Sequence, residues 1–129
     1  MGPGAALVVD AANVVGSRPD GWWRDRAGAA SRLVSALAEA LATGTLDGPV
    51  VVVLEGAARA GVPEGPVGTG LRVVHAPTDG DSAIVAEVRD LVAAGAEPTV
   101  VTADRGLRAR VEAAGGNVVG PSWLRDRLP

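Results

Sequence analysis

The sequence of 129 residues contains no cysteine and only one histidine, His75. The absence of cysteine excludes disulfide bonds, thiolate metal ligands and cysteine nucleophiles. A lone histidine also excludes zinc sites built from several histidines and any mechanism that needs two of them. A metal ion bound to this protein must therefore be held by oxygen atoms, which favours Mg²⁺ or Mn²⁺ over Zn²⁺.

Lysine, phenylalanine, tyrosine and glutamine are also absent, whereas alanine, glycine, valine, arginine and proline are abundant. GC-rich coding produces this bias, so the use of arginine for every basic side chain carries no functional meaning by itself. The net charge of −3 argues against a strongly basic surface for nucleic acid. No apolar run approaches the ~20 residues of a membrane span and no signal-peptide pattern is present, so we expect no membrane partner and a cytoplasmic protein.

Short valine-rich runs predict strands, and they alternate with amphipathic segments that predict helices. The predicted strands are residues 5–9, 49–54, 71–76, 98–102 and 117–119. Helices are expected over 22–43, from Asp81 or Ser82 to about 94, over 106–114 and from Pro121. This alternation predicts one domain, residues 1–129, with the fold class α/β: a three-layer α/β/α sandwich around a parallel sheet. Residues 56–70, rich in glycine and proline, are expected to form a functional or mobile loop.

Acidic residues lie where the predicted strands end. Asp10 and Glu55 end the first and second strands, Asp104 follows the fourth, and Asp81 begins the helix after the third. Functional groups collect at the carboxyl ends of parallel strands. If the strands are ordered 3-2-1-4-5, Asp10 and Asp104 face each other and Asp81 lies alongside. Glu55 is the weakest candidate because it can simply face solvent, and Asp79 is expected to be a turn residue.

Three carboxylates in close proximity repel one another, and a divalent cation converts that repulsion into binding. Mg²⁺ at such a site keeps several waters and neutralises charge on a phosphate oxygen, so the cluster indicates metal-assisted hydrolysis of a phosphate ester. Each acid also has a purely structural interpretation. Asp81 and Asp104 are suitable helix N-caps, and Asp10 is suited to capping the turn after its strand.

Three motifs resemble those of NYN domains, the PIN-like nucleases. Residues 8–15, VVDAANVV, resemble the opening of that family, in which an Asp ends the first strand and an Asn follows three positions later. Residues 80–85, GDSAIV, are similar to its second acidic motif. Residues 100–107, VVTADRGL, are similar to its fourth-strand signature, in which Thr or Ser precedes an Asp by two.

The resemblance implies a Rossmann-like sheet of order 3-2-1-4-5 and metal-dependent cleavage of RNA. Matched residue by residue, it makes Asp10, Asp81 and Asp104 catalytic metal ligands, with Asn13 and Thr102 as polar supports. The sequence departs from the family in its fourth acid, which PIN-type sites often carry inside the helix. Glu87 stands in that helix, six positions after Asp81, and is expected to point away from the site.

Arg18, Trp22 and Arg105 are candidate substrate-binding residues. Arg105 adjoins Asp104 and is suited to a phosphate, while Arg18 and Trp22 lie between the first strand and the first long helix, where they are suited to phosphate pairing and base stacking. Packing of the indole against the sheet and a surface salt bridge of Arg105 are the competing interpretations. His75, inside the third strand, is expected to be structural.

The leading hypothesis is a metal-dependent ribonuclease that uses Mg²⁺ or Mn²⁺ and takes single-stranded or structured RNA as its partner. A non-catalytic RNA- or protein-binding module and a small-molecule nucleotide phosphohydrolase are the alternatives. A P-loop NTPase is excluded because the chain has no lysine. The sequence leaves open whether the chain forms a homodimer.

Overall fold

The structure, a computed structural model, describes residues 4–129. Strands and helices alternate along these residues. Their order is β1 (Ala5–Asp10), α1 (Ala11–Gly16), α2 (Arg26–Thr43), β2 (Val50–Leu54), β3 (Gly65–Pro66), β4 (Leu71–His75), α3 (Gly80–Ala93), β5 (Glu97–Val101), α4 (Arg105–Ala113), β6 (Asn117–Val119) and α5 (Pro121–Arg125). Two 3₁₀ helices, Trp22–Arg24 and Gly56–Gly61, lie in the connections. No helix within residues 4–129 is long and apolar enough to cross a membrane.

The six strands form one sheet in the order β3-β4-β2-β1-β5-β6. The five predicted strands correspond to β1, β2, β4, β5 and β6, and all their pairings are parallel, which confirms the predicted order 3-2-1-4-5. An unpredicted sixth strand, β3, pairs antiparallel at the edge, with Gly65 opposite Val73 and Pro66 opposite Arg72. Two residues are too few for the alternation that identifies a strand in a sequence.

The sheet separates two apolar cores, which confirms the three-layer α/β/α sandwich. Leu7 and Val9 of β1 pack toward α1, α2 and α5, whereas Val8 packs toward α3 and α4. Successive strand residues point to opposite faces, so a central strand covered on both sides must be apolar at every position. The continuous valines of β2 meet this requirement, and all five of its residues are buried.

The predicted start of the first long helix at Trp22 is wrong, because α2 begins at Arg26. Asp25 is its N-cap and accepts a hydrogen bond of 2.8 Å from the Gly28 amide. The preceding Trp22–Arg24 segment is a separate 3₁₀ turn. The stretch interpreted from sequence as turns also contains α1, which starts directly after Asp10.

Residues 56–70 are more ordered than expected. The Gly56–Gly61 helix packs against α2 so closely that a Cβ on Gly61 would lie 2.0 Å from the Ala27 carbonyl oxygen. His75 fastens the following segment, because its Nε2 hydrogen-bonds with the Val62 carbonyl at 2.7 Å and its backbone amide donates to Glu64. The structural role predicted for His75 is confirmed.

Candidate functional site

Asp10 is the most buried charged side chain of the site, with 6% of its surface exposed. Its Oδ1 accepts a hydrogen bond of 3.3 Å from the Asn13 amide and thereby caps α1. Its Oδ2 accepts a hydrogen bond of 2.9 Å from the Thr102 hydroxyl. Each oxygen retains a lone pair, so Asp10 is a helix cap that still has acceptor capacity for a ligand.

Thr102 and Asn13 connect the end of β5 to the end of β1. The Thr102 hydroxyl also accepts a hydrogen bond of 3.1 Å from the Asp104 amide. The side-chain carbonyl of Asn13 accepts one of 2.8 Å from the Ala103 amide. Two polar side chains therefore fix the backbone that carries Asp104 relative to the backbone that carries Asp10.

Asp104 is exposed and caps α4, since its Oδ1 accepts a hydrogen bond of 2.8 Å from the Leu107 amide. Asp104 therefore caps a helix and also lies at the candidate site, as Asp10 does. One carboxylate oxygen of Asp104 makes no hydrogen bond within residues 4–129 and is free for a ligand.

Asp79, and not Asp81 or Ser82, caps α3, which corrects the predicted helix start. The Oδ1 of Asp79 accepts a hydrogen bond of 2.7 Å from the Ser82 amide, as a turn residue does. Asp81 therefore has no capping duty. Its half-buried carboxylate makes no hydrogen bond or ion pair to the described part of the chain.

Glu55 belongs to this edge of the sheet, so the expectation that it merely faces solvent is wrong. Its Oε2 accepts a hydrogen bond of 3.1 Å from the Gly80 amide at the start of α3. A Cβ on Gly80 would lie 2.8 Å from Oε1 of Glu55, so the approach requires glycine at that position. The only signal in the sequence is a glycine directly before Asp81.

The four carboxylates influence one another electrostatically. Burial raises the pKa of Asp10 to about 6, against the opposing hydrogen bonds from Thr102 and Asn13, and repulsion from Asp81 and Glu55 adds to the rise. Burial likewise raises the pKa of Asp81, followed by repulsion from Asp104. No ion pair within residues 4–129 neutralises any of the four. The site thus concentrates negative charge that no direct ion pair neutralises, although Arg110 acts on Asp81 from farther away and opposes the rise in its pKa.

The donor set suits a hard cation, because every candidate ligand is a carboxylate or hydroxyl oxygen. No three acidic or histidine side chains among the described residues lie close enough together to form a complete ligand group. Mg²⁺ is usually bound through one or two carboxylates while it keeps several waters. The arrangement therefore fits a hydrated ion held by few direct ligands, and does not fit an all-protein cage.

The candidate substrate residues occupy different places. Trp22 lines a cavity of about 270 Å³ together with Glu55, and the Arg26 guanidinium lies 5.2 Å from the indole centroid. Arg105 is exposed directly beside Asp104. Arg18 lies in a separate cavity that none of the four carboxylates lines.

Glu87 points away from the carboxylates, as predicted. Its carboxylate forms an ion pair of 3.0 Å with Arg72 of β4. The helix therefore contributes no further acid at the position where PIN-type sites often carry one.

Comparison with known proteins shows the fold. No protein-family model and no curated protein sequence matches the chain. Two crystal structures of Rae1 (YacP) from Bacillus subtilis are similar. A tryptophan-to-leucine mutant has a TM-score of 0.73 at 20% identity, with 95% of this chain and 74% of that chain covered. The other structure has a TM-score of 0.68 at 18% identity, with 95% and 72% covered. The chain thus has a three-layer α/β sandwich fold similar to that of Rae1.

Proposed function

We propose that the protein is a metal-dependent ribonuclease that hydrolyses RNA phosphodiester bonds with Mg²⁺ or Mn²⁺. The observation that carries the proposal is the cluster of Asp10, Glu55, Asp81 and Asp104 at one sheet edge. Burial, with added repulsion among these carboxylates, raises the pKa of Asp10 and Asp81, and no member is ion-paired among the described residues. Such repulsion is costly in a structural site and favourable where a divalent cation binds. The PIN-like fold agrees with this chemistry.

In the proposed mechanism, Asp10 and Asp104 would be the principal residues that hold the ion, and Asp81 and Glu55 would add negative charge beside it. A bound divalent ion supplies charge neutralisation at a phosphate oxygen and lowers the pKa of a water ligand. Thr102 and Asn13 orient Asp10 by donating to its two carboxylate oxygens, one from a hydroxyl and one from a backbone amide. This preorganisation fixes the direction of the lone pairs that remain.

Protonation of the carboxylates opposes this function at acid pH. Asp10, with a pKa of about 6, carries a proton in much of the ion-free protein below that pH. A cation must displace this proton in order to bind. We therefore expect cleavage to require more metal as the pH falls toward 6.

RNA is the proposed substrate because the cavity at Trp22 adjoins the carboxylates through Glu55. Ala11, Ala12 and Ala58 make much of its wall apolar, and its volume of about 270 Å³ accommodates a nucleobase. Stacking on an indole stabilises a base without regard to its identity. A base in this cavity would bring its attached phosphate toward the carboxylates.

The test is a side-by-side assay of a short labelled single-stranded RNA and a panel of nucleoside triphosphates with Mn²⁺. We expect RNA cleavage by the wild-type protein and by Asp90→Asn, and none by Asp10→Asn. Asp90 is the matched control because it is exposed near the far end of α3. Hydrolysis of nucleotides without RNA cleavage would identify a phosphohydrolase and overturn the proposal, as would undiminished cleavage by Asp10→Asn.

A non-catalytic RNA-binding module is the second candidate, favoured by the lack of a complete three-residue ligand group within residues 4–129. It predicts RNA binding without cleavage. It also predicts no heat of Mn²⁺ binding at millimolar concentration by titration calorimetry. Measurable Mn²⁺ binding that Asp10→Asn abolishes would eliminate this candidate.

A further inference from the structure

Three arginines converge on one cavity on the α1, α2 and α5 side of the sheet. The cavity has a volume of about 180 Å³, and its wall includes Arg18, Arg32 and Arg125. Asp20 is the one acidic side chain in that wall. The side chains lining the cavity therefore carry an excess of positive charge in a protein whose net charge is −3.

These arginines lack ion-pair partners. No carboxylate of the described residues lies within 4.0 Å of the guanidinium groups of Arg18, Arg32 or Arg125. One carboxylate oxygen of Asp20 is already engaged, because Oδ1 accepts a hydrogen bond of 3.2 Å from the Trp22 amide. Burial lowers the pKa of Arg125, and repulsion from Arg18 adds to that effect. An anion in the cavity would relieve this repulsion.

Arg125 is held in place by the end of α1. Its Nε donates to the Ser17 hydroxyl at 2.9 Å, and one terminal nitrogen donates to the Val14 carbonyl. A guanidinium has five N–H donors, so three remain after these two bonds. Arg125 thus combines a fixed position with free donors, which is the geometry that arginine uses to bind phosphate.

The cavity is connected to the carboxylate edge of the sheet through α1, since Val14 and Val15 of that helix line it. α1 begins at Asp10 and α5 begins after β6, and parallel strands all end at this edge. The six residues of α1 span about 9 Å from Asp10 to the Ser17 end. Consecutive phosphates of a nucleic-acid strand lie at least roughly 3.4 Å apart, so this separation corresponds to three nucleotides at most.

We propose that the cavity formed by Arg18, Arg32 and Arg125 binds a backbone phosphate of the RNA that lies no more than about three nucleotides from the phosphate held at the carboxylates. The inference rests on the proposed function and specifies its substrate as an RNA strand with at least two phosphodiesters, since one backbone phosphate occupies each place. It would give an acidic protein a local excess of positive charge for RNA, because three of its twelve arginines line this cavity.

The test measures binding of a labelled single-stranded RNA octamer by fluorescence anisotropy, with Mn²⁺ and in an Asp10→Asn background that prevents cleavage. Arg18→Gln/Arg32→Gln is the test variant, since both residues are exposed and neither fastens the fold. Arg89→Gln/Arg108→Gln is the control, because it removes the same charge from α3 and α4 in the opposite layer. A dinucleotide with one phosphodiester serves as a short ligand.

We expect the test variant to raise the Kd for the octamer roughly tenfold, the effect of losing one charge-assisted hydrogen bond. The slope of log Kd against log salt should fall by about 0.7 for each phosphate that the variant no longer neutralises. The control should change neither quantity, and the dinucleotide should not distinguish the variants.

Equal octamer affinities of the test variant and its background, or an equal loss in the control, would overturn the inference. Full displacement of the octamer by inorganic phosphate, at a concentration equal to that of the octamer's phosphates, would also overturn the inference, because the cavity would then bind a free anion. Absence of RNA binding in the Asp10→Asn background would overturn the inference alone, because the proposed function is tested by cleavage with Asp10 intact. Arginine-dependent RNA binding without cleavage by the wild-type protein would overturn only the proposed catalysis.

Discussion

The Thr102 hydroxyl donates a hydrogen bond of 2.9 Å to Oδ2 of Asp10, across 92 positions of sequence. The same hydroxyl accepts a hydrogen bond from the Asp104 amide, so one oxygen atom connects Asp10 at the end of β1 to the backbone of Asp104, which follows the neighbouring strand β5. Donation to a carboxylate stabilises its charged form and opposes the rise in pKa that burial causes. Thr102 is therefore a positioning residue whose contribution is to keep Asp10 ionised and oriented.

Substitution of Thr102 tests this role. Thr102→Val should raise the pKa of Asp10 further and leave the Asp104 amide without its acceptor, at a cost of about 1–3 kcal/mol in the free energy of unfolding. We expect cleavage to fall roughly 10- to 100-fold, as for other groups that orient metal ligands. The acid limb of the pH–rate profile should move to higher pH. Thr102→Ser should restore both quantities, whereas an unshifted pH profile in Thr102→Val would contradict the assigned role.

The pKa of Asp10 predicts an unusual dependence of stability on pH in metal-free protein. The folded pKa of about 6 exceeds the ordinary value of 3.8, so the folded state binds more protons between these values. Stability from this group is fully present below pH 3.8 and is lost as the pH rises through 6, by about 3 kcal/mol. Urea denaturation in EDTA should therefore show Asp10→Asn to be more stable than wild type at about pH 7.5. A less stable variant at that pH would contradict the account.

Glu55 provides a test of the electrostatic coupling. Glu55→Gln keeps an acceptor for the Gly80 amide and removes one negative charge, so we expect Mn²⁺ affinity to fall roughly tenfold by calorimetry. Gly80→Ala should have a similar effect with Glu55 intact, because its Cβ would lie 2.8 Å from Oε1. Glu97→Gln is the control, since Glu97 is exposed at the opposite end of β5. Unchanged Mn²⁺ affinity in Glu55→Gln would remove Glu55 from the site.

Two substitutions of Asn13 distinguish the effect of its hydrogen bond from the effect of added negative charge. Asn13→Ala removes the acceptor for the Ala103 amide and should lower both the cleavage rate and the stability, the latter by about 1–2 kcal/mol. Asn13→Asp retains the acceptor and adds a fifth carboxylate near Asp10, so its stability loss should be reversed by Mn²⁺. Thermal unfolding with and without Mn²⁺ measures the difference. If Mn²⁺ did not change the thermal stability of Asn13→Asp, position 13 would lie too far from the ion to interact with it.

The parallel sheet and its order were predictable because each strand carries a local signal. Valine-rich runs that end at an acid or a proline identify buried parallel strands, and the five predicted strands are all present. α1 escaped prediction because six residues cannot display a helical period. The start of α2 was predicted at the wrong residue because the N-cap Asp25 determines it. The spacing of apolar residues, on which the prediction relied, does not reveal a cap.

Within the site, short sequence patterns identified the residues that cap helices. They did not identify the contacts between residues on different helices, strands and loops. Asp10 and Asp104 follow strands and cap the next helices, which is visible in the sequence. Glu55 was ranked as the weakest acid and Arg125 was not a sequence candidate, because the positions of both depend on tertiary partners, the Gly80 amide and the Val14 carbonyl. These partners are far apart in the sequence and come together only through the strand order, so no local spacing reveals the contacts.

The most direct test of the central claim is the anomalous scattering from a crystal of the wild-type protein soaked in Mn²⁺. The account predicts a peak within direct coordination distance of Asp10, shared with Asp104 or Asp81, with water completing the shell. Absence of a peak at this edge of the sheet, or a peak at acids elsewhere on the surface, would contradict it.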